Sequence, residues 1–352
     1  MSRAHLLRRL VGALMICSLL CVGAMLGSLS IGTTYDDSHG QWRHVVTPLP
    51  TLLHLLADPS AAGASGEERS LLDIRLPRVL LAAIVGASLA LAGAAFQGLL
   101  RSSLADPYIV GTSSGAALGA ALSVVLGVSS GMAAPHLGKP LFAFVGALLT
   151  MYCVYRLAQR NGRLPVDTFL LSGVVVGAFV WAFVSFLLAV TQDKMKEIVF
   201  WLMGDLSAAD WGLIWMSLPY LLIGGLVLLA LAHPMNLLAS GEERALQLGV
   251  PVERVKTAVI VFAALITAGA VSVSGLIGFV GLMVPHLVRS AWGADHRVLL
   301  PATAIAGAAF LVTADAAARL LLSPAGLPVG VVTALLGGPF FFFILRRGSR
   351  WQ

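Results

Sequence analysis

The chain has 352 residues, of which 58% are hydrophobic and 11% charged, with a formal net charge of +6 and a mean hydropathy of +0.90. Soluble domains carry about 25% charged residues, so this composition excludes a soluble fold with a single anchor and points to a chain that crosses the membrane many times. The small positive charge is spread over short loops and reads as membrane topology, not as a nucleic-acid surface. Cys17, Cys21 and Cys153 lie in or beside apolar stretches and suggest neither a disulfide framework nor a zinc site.

Arg3, Arg8 and Arg9 precede an apolar run from Leu10 to Ile31. The run is too long for a signal-peptide core and no clear small-x-small cleavage site follows it, so it is expected to persist as the first helix. Apolar windows near 20 residues place further spans at 79–100, 110–127, 141–158, 168–190, 212–232, 256–273, 275–290, 300–317 and 328–345. The pair from 256 to 290 is barely interrupted, by Ser272, Ser274 and Gly275. The expected fold class is an all-α polytopic membrane protein of about ten transmembrane helices, a single transmembrane domain over 1–352 with both ends on one side. Basic residues concentrate in loops that stay in the cytoplasm. Placing the N-terminus there puts 15 of the 23 Lys and Arg inside and leaves 8 outside.

The first outer loop, Thr33 to Leu76, is polar, carries Asp36, Asp37, Glu67, Glu68 and Asp73, and has room for a short helix at 49–57. It ends at Arg75-Leu76-Pro77-Arg78, with proline where a helix begins. The two arginines either snorkel to lipid headgroups or present positive charge to an acidic partner. A second outer stretch, Gln192 to Asp210, mixes Lys194, Lys196 and Glu197 with Phe200, Trp201 and Met203. It reads as an amphipathic helix at the membrane interface, or as aromatics packed on the bundle.

Ser240 to Pro251 is a polar island between apolar runs. Ser240 with Glu243 three residues later has the form of a capping box. Gly249 suits the left-handed position that ends a helix, and Pro251 blocks its continuation. The two turns between them are too short to be stable alone in water, and Leu248 is expected to lie on their apolar face with Ala245. The island is either a solvated loop with a helical tip or an element that docks a soluble partner, and the charge count places it in the cytoplasm.

Several chemistries find no support. Gly138-Lys139 is followed by Pro140, and no glycine-rich phosphate loop opens it. The pattern His-Glu-x-x-His is absent, and His286 reads as a helix-end histidine. Gly111-Thr112-Ser113-Ser114-Gly115 reads as a helix start with small residues for close packing. Asp315 and Arg319, four apart, are placed to pair with each other. No membrane-centre carboxylate stands out, which weakens a proton-coupled carrier. A membrane-embedded hydrolase would need a nucleophile–base pair, which is not found. ATP, if used, must be hydrolysed by another chain, and no cofactor is expected.

Seven stretches, taken together and in order, resemble one family. They are Arg75-Leu76-Pro77-Arg78, Leu104-Ala105-Asp106-Pro107, Gly111-Thr112-Ser113-Ser114-Gly115-Ala116, Trp201-Leu202-Met203-Gly204, Gly275 to Leu282 running on to Pro285-His286-Leu287-Val288-Arg289, Asp295-His296-Arg297, and Pro328 to Thr333. The chain is similar to the membrane-spanning permeases of the type II ABC importers for vitamin B12, ferric siderophores and haem. That resemblance implies ten helices per subunit and a homodimer in the inner membrane of a bacterium, with the pathway between subunits and both termini cytoplasmic. Two cytoplasmic ATPase subunits would dock on a coupling segment at about 238–254, with Ser240, Glu242, Glu243, Arg244, Ala245, Leu248 and Gly249. A periplasmic or surface substrate-binding protein would meet Arg75, Arg78 and Arg319. A cytoplasmic gate would lie at Ser102 and Leu104 and at Val166 and Asp167, where this chain departs from the many relatives that carry Asn-Pro before Leu-Ala. The expected cargo is an iron chelate, with a corrinoid as the alternative.

Overall fold

The computed structural model describes residues 3–36, 41–57, 66–128, 135–321 and 326–347; Asp37 lies outside them. Fifteen helical segments are used below, numbered along the chain. They begin with α1 (Arg3–Ser30), α2 (Leu49–Ala57), α3 (Gly66–Ser70), α4 (Leu76–Leu100) and α5 (Thr112–Val125). Next come α6 (Pro135–Ala158), α7 (Val166–Val190), α8 (Met195–Leu202), α9 (Trp211–Ala230) and α10 (Ala232–Ala239). The last are α11 (Glu242–Gln247), α12 (Val252–Ser274), α13 (Val280–Trp292), α14 (His296–Leu321) and α15 (Val329–Arg347). Among the described residues seven helices are long and apolar enough to cross a membrane, and α5 and α15 are shorter apolar helices.

Each of the ten expected spans therefore coincides with a helix, but two of those helices, α5 with 14 residues and α13 with 13, are too short for a full crossing on their own. The expected span 275–290 is not a full crossing. Gly275 to Phe279 is non-helical, and α13 that follows has 13 residues, about 20 Å at 1.5 Å per residue. That is short of the roughly 30 Å of a hydrocarbon core. The backbone leaves α12 through Gly275 at φ 69°, where any side chain would strike the Trp201 carbonyl. Phe279, also left-handed at φ 68°, opens α13, and Tyr108 holds the broken stretch. Its hydroxyl donates to Ile277 O at 3.0 Å and accepts from Ile277 N at 3.2 Å.

Helix α4 is the spine. It buries nearly every side chain from Pro77 to Leu100. Its first half joins a core with α14 and α1, and its second half joins another with α12, α7 and α10. Lipid offers no hydrophobic drive for helices to associate, so close backbone contact through small residues carries the packing. At the crossing of α4 and α13, a methyl group on Gly93 would collide with the Gly281 backbone, and Gly86 meets Gly307 of α14 in the same way. The expectation for Gly111 to Gly115 holds: Gly111 is the left-handed cap of α5 and Gly115 lies against Gly146 of α6.

The loop from Thr33 to Leu76 contains more structure than expected. Helix α2 forms where it was placed, but an antiparallel hairpin, β1 (Ile31–Asp36) with β2 (Gln41–Val46), precedes it in the register Ile31↔Val46. The amphipathic stretch forms α8, with Ile198 buried and Met195 and Phe200 exposed. Lys139 pairs with Glu197 at 2.6 Å, and Lys194 donates to Val124 O at 2.8 Å and so satisfies the end of α5.

Candidate functional site

The spine has two polar ends. At its start, the chain enters α4 through a wide turn, Leu71–Arg75, closed by the Leu76 N–H on Leu71 O. This turn directs Arg75 inward, where it is 6% exposed and its guanidinium lies over Gly32. One helical turn on, Arg78 forks onto Asp315 of α14, with Nε 3.0 Å and Nη2 2.8 Å from Oδ1. Arg319 lies 3.2 Å from the other carboxylate oxygen and donates to the carbonyl and hydroxyl of Ser28. Asp315 is fully buried. The expected Asp315–Arg319 pair is thus present, but Arg78 makes it a three-residue cluster. Asp73, the carboxylate nearest in sequence, is exposed. Arg75, Arg78 and Arg319 line one cavity of about 360 Å3 with Asp205 and Ser207.

At the other end, α4 stops at Arg101, a left-handed cap at φ 51°. The loop that follows carries two of the residues expected at a gate, Ser102 and Leu104. The Ser102 hydroxyl accepts the Leu104 N–H at 3.3 Å, and Leu104 is exposed. Next, Asp106 caps the turn Pro107–Val110 by accepting the Tyr108 N–H at 2.7 Å. Loss of water around it pushes its carboxyl up to about 6, against the pull of that N–H. The other expected gate residues, Val166 and Asp167, open α7 directly after Pro165.

The polar island folds as α11, six residues long, with one correction at each end. Ser240 is not its cap. Helix α10 runs on until Ser240 has helical angles, and Gly241, at φ 124°, caps α11 without any side-chain bond. Only glycine takes such an angle cheaply. At the far end Gly249 is left-handed as expected, at φ 79°. The N–H of Gly249 reaches Leu246 O at 2.9 Å and that of Val250 reaches Ala245 O at 3.0 Å, the double closure of a Schellman motif. Ala245 and Val250 are buried together there. Leu248 does not share the buried face of Ala245: it is 65% exposed, and Leu246 is 58% exposed. Glu243 and Arg244 are also exposed. The buried side of α11 is spent on Ala245, so both leucines face outward.

Two basic side chains that sequence reasoning treated only as topology markers tie this region together. Arg101 donates Nη2 to Leu238 O at 2.7 Å. Lys256, 4% exposed, reaches Glu253 at 2.8 Å, Glu242 of α11 at 3.2 Å and Leu164 O at 3.0 Å. Nearby, Asn236 of α10 donates to Asp295 at 2.7 Å and accepts the His296 N–H at 2.9 Å. Asp295 also receives Arg297 at 2.7 Å, and this hydrogen bonding holds its carboxyl down at about 2. His286 packs edge-on against Phe340, with ring centroids 6.1 Å apart.

Neither end holds the apparatus of bond-making catalysis; among the described residues no cluster of His, Cys, Asp and Glu is placed to hold a metal. Comparison with known proteins identifies the family. The chain is 45% identical to the cobalamin import system permease protein BtuC of Halobacterium salinarum, over 85% of this chain and 79% of that one. It is 42% identical to the hemin transport system permease protein HmuU of Yersinia pestis, over 78% of this chain and 83% of that one. Among solved structures it superimposes on an inward-facing transporter described as being of the metal-chelate ABC type. The TM-score is 0.80 and the identity 32%, with 95% of this chain and 98% of that chain covered. These relatives are permease subunits, not enzymes, and ATP is hydrolysed in a separate subunit. The model of the FecCD transport family matches residues 13–347, and the chain belongs to that family: it is a multi-pass permease of an ABC importer.

Proposed function

We propose that this permease carries an iron chelate, a ferric siderophore or haem, into the bacterial cytoplasm. The observation that carries the reading is the likeness of almost the whole chain to a metal-chelate-type transporter, supported by the hemin permease among its relatives. A corrinoid is the second reading, favoured by the 45% identity to a cobalamin permease. In this proposal the chain is one transmembrane domain and acts as a homodimer, with the pathway between copies. The exposed apolar faces of α7, with Phe179, Phe183 and Phe186, and of α15, with Phe342 and Phe343, support a second copy or lipid as their cover. Both termini are cytoplasmic, as the loop charges favour.

Two ATPase subunits seat on the coupling segment 238–254. Its projecting Leu246 and Leu248, with Glu243 and Arg244 beside them, form a small apolar knob with a charged rim. The substrate-binding protein docks over Arg75, Arg78 and Arg319. Within the cluster the guanidiniums of Arg78 and Arg319 share the one carboxylate of Asp315, which leaves a positive field for acidic residues. The gate comprises Ser102 and Leu104 with Val166 and Asp167.

The test is uptake by the whole importer in proteoliposomes loaded with ATP, offered radio-iron haem, radio-iron siderophores and radio-cobalt cobalamin in parallel. ATP-dependent accumulation of an iron chelate is expected. Accumulation of cobalamin alone would overturn the iron assignment and establish the second reading.

A further inference from the structure

The two gate loops sit at different places in the sequence, yet each is tied to the coupling segment by one basic side chain. Arg101 immediately precedes Ser102. It adopts a left-handed conformation that side chains avoid, and in that pose its guanidinium holds the carbonyl of Leu238, at the end of α10. Lys256 serves the other loop. An ammonium has three N–H donors, and here they go to three different elements. Leu164 O is two residues before Val166, Glu242 lies in the first turn of α11, and Glu253 is on its own helix. Glu253 closes the ring by accepting the Leu164 N–H at 2.9 Å. Leu164 is thus gripped by both its N–H and its C=O, and the lysine that grips it is also bound to α11.

The chemistry makes this link stiff. Lys256 is almost wholly buried while Glu242 is half exposed, with 42% of its side chain accessible. If α11 moved and Glu242 left, Lys256 would keep Glu253 but lose the second of its two counter-charges while still buried. The low-cost response is for Lys256 and Leu164 to follow. Likewise, a shift of Leu238 pulls on a guanidinium whose backbone is already strained. We propose that Lys256 and Arg101 are the positioning residues that carry motion of the coupling segment to the two gate loops, one strut to each. This inference rests on the reading of 238–254 as the ATPase seat and of the two loops as the gate.

The experiment uses the complete importer, permease with its ATPase and substrate-binding protein, in proteoliposomes. Lys256→Met and Arg101→Met are compared with wild type for assembly, basal ATP hydrolysis and substrate moved per ATP. Assembly and basal hydrolysis within about two-fold of wild type are expected, with a fall of about ten-fold in substrate per ATP for either variant. Arg101→Lys, which keeps a donor, should recover part of that loss. Spin-label distances give a readout that simple packing would not move. In wild type the loop at Arg163 and the helix at Gln247 shift together on nucleotide binding, and in Lys256→Met the helix moves without the loop.

Wild-type coupling in Arg101→Met and in Lys256→Met, or unaltered joint motion, overturns the proposal. Should Lys256→Met fail to assemble, unchanged coupling in Arg101→Met, whose side chain is exposed, overturns it alone. Failure of a cysteine at Gln247 to cross-link to the ATPase in the wild-type background would instead sink the docking reading, and the inference with it.

Discussion

The Arg78–Asp315–Arg319 cluster makes a quantitative claim that a double-mutant cycle can check. Asp315 has no exposure, while the side chains of Arg78 and Arg319 keep 16% and 18% of theirs. Breaking a wholly buried ion pair costs about 3–5 kcal/mol, because the survivor is left charged without a partner. Water reaches the arginine ends here, and Asp315 keeps Arg319 when Arg78 is removed. The coupling between Arg78 and Asp315 is therefore expected at about 2–3 kcal/mol. Arg78→Met and Asp315→Leu should each destabilise the detergent-solubilised permease, and the double variant should recover much of the loss, since apolar replacement of buried pairs is often neutral. The measurement is reversible unfolding of the four proteins, with the coupling energy taken as the non-additive part. A value below about 1 kcal/mol, that of an exposed pair, would refute the cluster as a buried network. The recovered double variant also separates fold from function: if the cluster receives the substrate-binding protein, it folds but docks weakly. Reversing Arg78 to Glu would not make that separation, because it places two carboxylates together in a buried site.

Four further outcomes are expected. Gly93→Leu, which drives a side chain into the Gly281 backbone, should cost at the upper end of the about 1–3 kcal/mol of overpacking, read as a lowered melting temperature; unchanged melting would contradict the close crossing. Leu248→Asp should leave folding within about 0.5 kcal/mol, as at other exposed positions, yet abolish co-purification of the ATPase. Cysteines at Lys194 and Gln247 probe orientation in intact cells: an impermeant thiol reagent should label the first and spare the second, and the reverse pattern would invert the topology. Asp295 is held down at about 2, so its contribution to stability is complete above an ordinary carboxylate pKa of about 3.9 and is lost as pH falls toward 2. Asp295→Asn should flatten stability between about pH 4 and 2, measured by thermal melts; an unchanged acid limb would remove its role.

What could be read ahead of the fold follows a physical division. Helices announced themselves wherever a local property decides structure: apolar length for α4 and α7, proline at the start of α4, the left-handed glycine after α11. The features that escaped depend on partners distant in sequence. The break at Gly275 lies against the Trp201 carbonyl, which leaves room for glycine alone. The cap of α11 moved to Gly241 because α10 runs one residue further than the capping pattern allows. Leu248 paired with Ala245 on paper, yet the Schellman closure turns Ala245 toward Val250 and leaves Leu248 outside. Asp315 lies 237 positions from Arg78, so only its neighbour Arg319 was legible. Lys256 counted as one more inside charge until its three partners came from three elements.

The distribution of polar contacts along α4 bears on how such a permease can move. Its middle is held by backbone-to-backbone approaches at Gly86 and Gly93. Such contacts are short-ranged and have no alternative register close by, so they resist small displacements as packed cores do. Its ends are different. Arg78 at one end and Arg101 at the other add polar contacts through long side chains, to Asp315 and to Leu238 O, on top of the packing of both halves in their cores. Helices α7 and α15 also meet neighbouring backbone, at Gly173 and Gly330, yet they expose rows of large apolar side chains that α4 does not.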